Sequence, residues 1–265
     1  MSSAIVFQAA QAIPFMARVR SHQPLIHCIT NQVVQNFTAN ILLAIGASPA
    51  MVIAQEEVCS FVTVADGLLI NIGTVYQQSA DSMLMAAQQA MLSQKPWVLD
   101  PVAVGKALPF RTRIAHELLS FCPQVIRANA AEVLTLAGEQ ARAKGTDSQD
   151  STQSALGAAL RLAEQYQTIV AVTGEKDYIT DGKTVYVVTG GDQKLTKVTG
   201  TGCSLSAMVA ALIAGADDQL LATASACFMM KKAGELAQRQ SGMGTFAVSL
   251  LDQLSLMGSI NTEGH

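Results

Sequence analysis

The sequence predicts an α/β fold, a central and mostly parallel sheet with helices on both faces, as one unit spanning residues 1–265. Three observations carry this. Short β-rich apolar runs alternate with longer helical patterns, as expected when each strand feeds a crossover helix. Half of the 265 residues are hydrophobic, ample for a buried core. No internal repeat or low-complexity segment divides the chain, and the one polar stretch, "GEQARAKGTDSQDSTQ", has the composition of a surface excursion between helices.

Taken in order, the strand-like runs are "AMVIA" (Ala50–Ala54), "GLLINIG" (Gly67–Gly73), "PWVLDPV" (Pro96–Val102), "QVIRANA" (Gln124–Ala130) and "TIVAVTG" (Thr168–Gly174). Helical patterns such as "QQSADSMLMAAQQAMLSQ" and "STQSALGAALRLAEQYQ" separate them. "YITDGKTVYVVTG" (Tyr178–Gly190) predicts a hairpin turning at Asp181-Gly182, which gives the sheet a mixed edge. Beyond Gly202 the chain is helical, and Leu205, Met208, Val209, Leu212 and Ile213 form a core-facing stripe that places Cys203 in the first turn.

Composition excludes several function classes. The net charge is -3, charged residues make up only 14%, and no Lys or Arg cluster tracks a nucleic-acid backbone. The apolar runs near Ile41–Ala54 and Cys203–Ala216 are too short or interrupted to span a bilayer, and the N-terminus places its basic residues after its apolar ones, the wrong order for a secretory signal. A cytoplasmic location is expected. Five scattered cysteines without a Cys-x-x-Cys pair suggest neither a disulfide framework nor a zinc site, and the four histidines lack metal-ligand spacing.

Ligands of open α/β sheets bind beyond the carboxyl ends of the strands, and here those ends carry polar residues: Asn71 and Thr74, Asp100, then Arg127, Asn129 and Glu132, then Thr173, Glu175 and Asp177. Any single one is a helix cap or turn residue by default. Four such ends on one sheet edge favour a site. Gly200 and Gly202 permit close backbone approach, and the amides opening the next helix form an anion hole, for which phosphate is the natural occupant. Asp100 and Glu132 suit Mg²⁺, directly or through its waters, with Arg127 facing phosphate oxygens.

"GTGCSL" is neither a dinucleotide fingerprint, because Leu205 stands where the third glycine belongs, nor a Walker A loop, because it lacks the lysine. Cys203 at a helix start is compatible with a nucleophile that needs a histidine base, for which His27 and His116 are the interior candidates, and with a buried small residue.

The ordered blocks "PLIHCITNQVVQNFTANILLAIGASPAMVIAQEEV", "LDPVAVG", "RANAAE", "VTGEKDYITDG" and "TKVTGTGCSLSA", covering nearly the whole chain, resemble the ribokinase superfamily and within it the hydroxyethylthiazole kinases of thiamine salvage. The resemblance implies a ribokinase-like fold without a separate lid domain and transfer of the γ-phosphoryl of ATP to the hydroxyl of the thiazole alcohol, with Mg²⁺. It implies metal positions at Asp100 and Glu132, ATP contacts at Arg127, Thr173 and Asn129, an anion hole at Gly200, Gly202 and Cys203, and a thiazole pocket at Asn31, Met51 and Gly200.

Sugar kinases of the superfamily carry Asp where this chain has Cys203, so Cys203 is expected to act as a weak base or positioning group without a covalent intermediate. The resemblance also implies a homotrimer with sites at subunit interfaces, a neighbour replacing the lid strands of sugar kinases. Other readings are a hydroxymethylpyrimidine kinase, a nicotinamide-nucleotide repair dehydratase, or a silent ATP- or thiazole-binding protein.

Overall fold

The computed structural model describes residues 4–139, 151–238 and 242–257. The polar stretch expected at the surface falls largely outside these residues. Nine strands form one sheet: β1 (Ile5–Val6), β2 (Leu25–Ile29), β3 (Ser48–Ala50), β4 (Gly67–Asn71), β5 (Trp97–Asp100), β6 (Val125–Asn129), β7 (Ile169–Thr173), β8 (Asp177–Thr180) and β9 (Val185–Val188). Their spatial order is β1-β9-β8-β7-β6-β5-β4-β2-β3. All pairs are parallel except those made by β8, the hairpin strand that turns through Asp181 and Gly182.

Alternation along the strands sorts the core into two halves. On β4, Leu69 joins Ile26, Cys28, Val98, Val125 and Ala171 beneath α2 (Gln35–Ile45), α8 (Thr201–Ile213), α9 (Gln219–Ala237) and α10 (Met243–Leu256). Leu68 and Ile70 join Leu99, Ile126, Ala128, Val170 and Val172 on the other face, beneath α3 (Gln55–Val64), α4 (Gln77–Leu92), α5 (Pro109–Leu119), α6 (Ala130–Leu136) and α7 (Ser151–Tyr166). The remaining helix, α1 (Ile13–His22), buries Val19 with the first group. Strands covered on both faces read as continuous apolar runs, which is why β4 to β7 stand out in the sequence.

Three expectations change. The run "AMVIA" is strand only as far as Ala50: the ladder to β2 covers Leu25 to His27, and the Val52 carbonyl beyond it accepts a side-chain bond from His27 Nε2 at 2.7 Å. Strand β2 was not anticipated from its composition, because His27 and Cys28 interrupt its apolar run although both are fully buried. On α8 burial extends all round the helix from Ser204 to Ile213, wider than a stripe, because α8 lies between the sheet, α2 and α9. Among the described residues no helix is long and apolar enough to cross a membrane.

Truncating a side chain in this two-sided core leaves a cavity that neighbouring strands cannot close. Leu69→Ala should lower the unfolding free energy by about 2–5 kcal/mol in urea titration, whereas Val248→Ala on the 59% exposed face of α10 should change it by no more than about 0.5 kcal/mol.

Candidate active site

The chain leaves β2 toward α2 on one face and leaves the adjacent β4 toward α4 on the other, so a crevice opens where these two connections diverge. The polar strand ends converge there. Asn71 on β4 lies in register with Asp100 on β5, and Asn129 on β6 with Thr173 on β7, so the row lies along one edge of the sheet as predicted.

Asp100 is the centre of the row and is fully buried. Its Oδ2 accepts from Asn71 Nδ2 at 2.7 Å and from Ser206 Oγ of α8 at 2.8 Å, and Arg127 Nη1 stands 3.6 Å away. Its Oδ1 is buried with no partner. Burial pushes the Asp100 carboxyl up to about 6, because the charge of Arg127 and the two hydrogen bonds only partly offset the loss of water.

The bond to Asp100 sets the polarity of a longer chain. Asn71 donates through Nδ2, so its Oδ1 is the acceptor that Asn31 Nδ2 reaches at 2.9 Å. The same Asn31 nitrogen also donates to Cys203 Sγ at 3.4 Å, which makes the sulfur an acceptor. Burial, then the Asp100 charge, pushes the Cys203 thiol above its ordinary value, against hydrogen bonds from Asn71 and Asn31 and the Arg127 charge. Cys203 is therefore a neutral thiol at neutral pH, and the lowered thiolate of a cysteine nucleophile is absent.

Asn129 and Glu132 close a capping box on α6, with Glu132 N donating to Asn129 Oδ1 and Asn129 N to Glu132 Oε2, both at 2.9 Å. Glu132 Oε1 also accepts from Ala103 N at 2.8 Å, holding the loop after β5 where Ala103 is left-handed at φ 58°. Each carboxylate oxygen keeps a lone pair, but their first engagement is with backbone. Glu132 thus suits a water-mediated contact to a cation better than a direct one.

At the start of α8, Gly200 is left-handed at φ 96°, and a Cβ there would stand 3.0 Å from Val34 Cγ1, so only glycine fits this entry turn. No side chain caps the helix. Its first amides carry the positive end of the helix dipole and lack a side-chain partner. A Cβ on Gly202 would meet Arg127 Nη2 at 3.0 Å, so the guanidinium packs directly on this turn. Arg127 Nη2 also donates to Thr173 Oγ1 at 2.7 Å, and its buried Nε has no partner. Arg127 and the α8 amides make one cationic surface for an anion.

Beside it a cleft is lined by Asn31, Thr30, Gln32, Asn71, Thr74 and Tyr76. Met51 follows β3 and packs against the core beneath α2 and α8; the bond from His27 to Val52 steadies its segment. Burial keeps His27 neutral, with its proton on Nε2, where the carbonyl accepts it.

Among the described residues no group of three or more His, Cys, Asp or Glu gathers, so a tightly caged metal is not built in. The unpartnered Asp100 Oδ1 with Glu132 nearby fits Mg²⁺, which retains several waters and takes phosphate oxygens. Ser206, a buried hydroxyl three residues beyond Cys203, is not singled out by the sequence, where it is one of several hydroxyls in the first two turns of α8. Its spacing is the signal, since i and i+3 share a helix face. Ser206→Ala should lower stability by about 1–3 kcal/mol at neutral pH, read from thermal unfolding, by removing one of the two donors on a buried carboxylate.

A family model for the hydroxyethylthiazole kinase family matches residues 16–259. The chain is 53% identical over 236 residues to a hydroxyethylthiazole kinase of Klebsiella pneumoniae (strain 342), covering 89% of this chain and 91% of the relative. It superposes with a TM-score of 0.85 and 40% identity on a hydroxyethylthiazole kinase structure from Pyrococcus horikoshii, covering 92% of each chain. A ribokinase-like superfamily protein of Enterococcus faecalis, 14% identical with a TM-score of 0.66 over 96% of each chain, shares the fold. The chain belongs to the hydroxyethylthiazole kinase family.

Proposed function

We propose that this protein transfers the γ-phosphoryl group of ATP to the primary hydroxyl of 4-methyl-5-(2-hydroxyethyl)thiazole, with Mg²⁺. The observation that carries this is the juxtaposition of an uncapped helix N-terminus, a partly buried arginine and a buried carboxylate with one oxygen unpartnered. Such a set neutralises polyphosphate and offers one anionic point for its counter-cation. Family membership supplies the acceptor.

The α8 amides beyond Gly200 and Gly202 receive the transferring phosphoryl group, and Arg127 balances charge on its oxygens. Asn129 and Thr173, on neighbouring strand ends, border the nucleotide. Asp100, by its unpartnered carboxylate oxygen, and Glu132 would hold Mg²⁺, and the ion when bound would neutralise phosphate charge. Asn31 and Met51 orient the thiazole so that its hydroxyl meets Cys203. With one sulfur lone pair engaged by Asn31, the neutral Cys203 thiol positions this hydroxyl, and the loosely bonded transition state of phosphoryl transfer places little demand on a strong base.

We extend the proposal to a cytoplasmic homotrimer with sites at its interfaces. Val33, two residues along the chain from Asn31, is 67% exposed and offers an apolar side chain that a neighbouring subunit would cover. The described cysteines are all free thiols, which suits a reducing compartment that supplies ATP. Light scattering should give the mass of three chains, and a fully active monomer would refute the shared site.

ADP release by the purified protein with Mg²⁺-ATP should depend on the thiazole alcohol and stay at background with hydroxymethylpyrimidine. No release with either acceptor, together with thermal stabilisation by the thiazole, would leave a silent binding protein instead. Asp100→Asn should lower kcat by about 100-fold or more with little loss of melting temperature. Because Asp100 is ionised above its raised value of about 6, kcat/KM of the wild type should climb as pH rises through about 6 and then level. A profile flat between pH 5 and 8 at limiting free Mg²⁺, read from initial rates, would show that no carboxyl titrating near 6 controls turnover.

A further inference from the structure

Lys231 is a cation in the middle of α9 with only 7% of its surface exposed, on a helix that otherwise buries mostly small and apolar residues. Its Nζ stands 2.8 Å from the Gly174 carbonyl, 3.0 Å from Glu175 O, 3.4 Å from Gly190 O and 3.2 Å from Asp177 Oδ1. An ammonium has three protons, and four oxygens surround this one. It has no donor left for a phosphate, so Lys231 is not a nucleotide ligand.

Three main-chain carbonyls and one carboxylate, converging from two separate loops, are the oxygen donors with which proteins surround a potassium ion, whose size is close to that of ammonium. We infer that the Lys231 ammonium is a resident monovalent cation: it fills, by a covalent tether, a carbonyl cage that would otherwise require a bound ion, and so makes turnover independent of K⁺.

The cage joins the parts that the reaction uses. Gly174 and Glu175 follow Thr173 directly at the end of β7, and Gly190 opens the segment that runs from β9 to the Gly200 turn. Asp177 Oδ1 also accepts from Gly174 N at 2.9 Å, and one helical turn beyond Lys231, Glu235 Oε1 accepts from Gly191 N at 3.1 Å. Burial pushes the Asp177 carboxyl up while the Lys231 charge draws it down, as for an anion whose counter-cation is indispensable. Lys231 is accordingly a positioning residue: it ties the loop after Thr173 to the strand exit that leads to the anion hole, without touching either substrate.

The turnover arm of the test rests on the kinase reading, and the melting arm does not. Wild type, Lys231→Ala and Lys231→Met are compared in matched KCl, NH₄Cl and tetramethylammonium chloride for thiazole-dependent ADP release and for melting temperature. Wild-type turnover should agree within about twofold in all three salts, whereas Lys231→Ala, with room for an ion, should lose at least about tenfold in tetramethylammonium and recover most of it in K⁺ or NH₄⁺. Its melting temperature should rise with K⁺ as for a ligand that binds only the folded state. Lys231→Met, whose stem fills the space, should be impaired and deaf to the salt. A wild type that slows about tenfold without K⁺ overturns the proposal. So does a Lys231→Ala protein that responds alike to K⁺ and tetramethylammonium in both readouts, or stays unfolded in KCl. A wild type silent in every salt would refute the kinase reading, and the melting temperatures would then decide the cation seat alone.

Discussion

A carboxylate at the end of β5, stripped of water and held from three sides, organises this molecule. Asp100 receives Asn71 from β4 and Ser206 from α8, and faces Arg127 from β6, so one oxygen atom ties two neighbouring strands and the helix packed beneath them. Burying that charge is costly unless the donors arrive with good geometry. Here they use up Oδ2 and leave Oδ1 without a partner in a buried crevice, which leaves the residue ready for a cation and costly to maintain without one. The strain is local to the working end of the sheet, where polar groups at strand ends replace the apolar ladder.

From this point the rest of the site follows by hydrogen-bond polarity. Since the Asp100 carboxylate only accepts, Asn71 presents its nitrogen to it and its oxygen to Asn31, and Asn31 in turn presents its nitrogen to Cys203. Two amides thereby connect the proposed metal position to the proposed acceptor position. The thiol is left protonated by burial, which separates this site from those of cysteine enzymes, whose thiolates are stabilised by nearby cations. On the far side of Arg127, the carbonyl cage around Lys231 steadies two loops that no strand pairing holds.

Much of the sheet is legible in the sequence for one physical reason: β4, β5, β6 and β7 are buried on both faces, so their apolar runs are continuous and their polar ends conspicuous. Asp100, Arg127 and Asn129 are found in this way. Strand β2 is hidden because His27 and Cys28 are buried only by tertiary packing. The resemblance implies a metal position at Glu132, and the structure adds that Glu132 is first a capping residue, bonded to Asn129 and Ala103. Ser206 and Lys231 escape because a hydroxyl or a lysine within a helix ordinarily faces water. Only once α8 and α9 are placed against the sheet do these two side chains meet Asp100 and the loop carbonyls.

The central claim, that the free oxygen of Asp100 is where the cation of a bound nucleotide is anchored, is tested most directly by calorimetric titration of a non-hydrolysable ATP analogue at rising Mg²⁺, in the wild type and in Asp100→Asn. The account predicts that Mg²⁺ tightens nucleotide binding to the wild type and that most of this linkage disappears in Asp100→Asn, whose shape is conserved and whose charge is not. An Asp100→Asn protein that binds the nucleotide with undiminished Mg²⁺ dependence would contradict it, and Asp100 would then be a structural carboxylate.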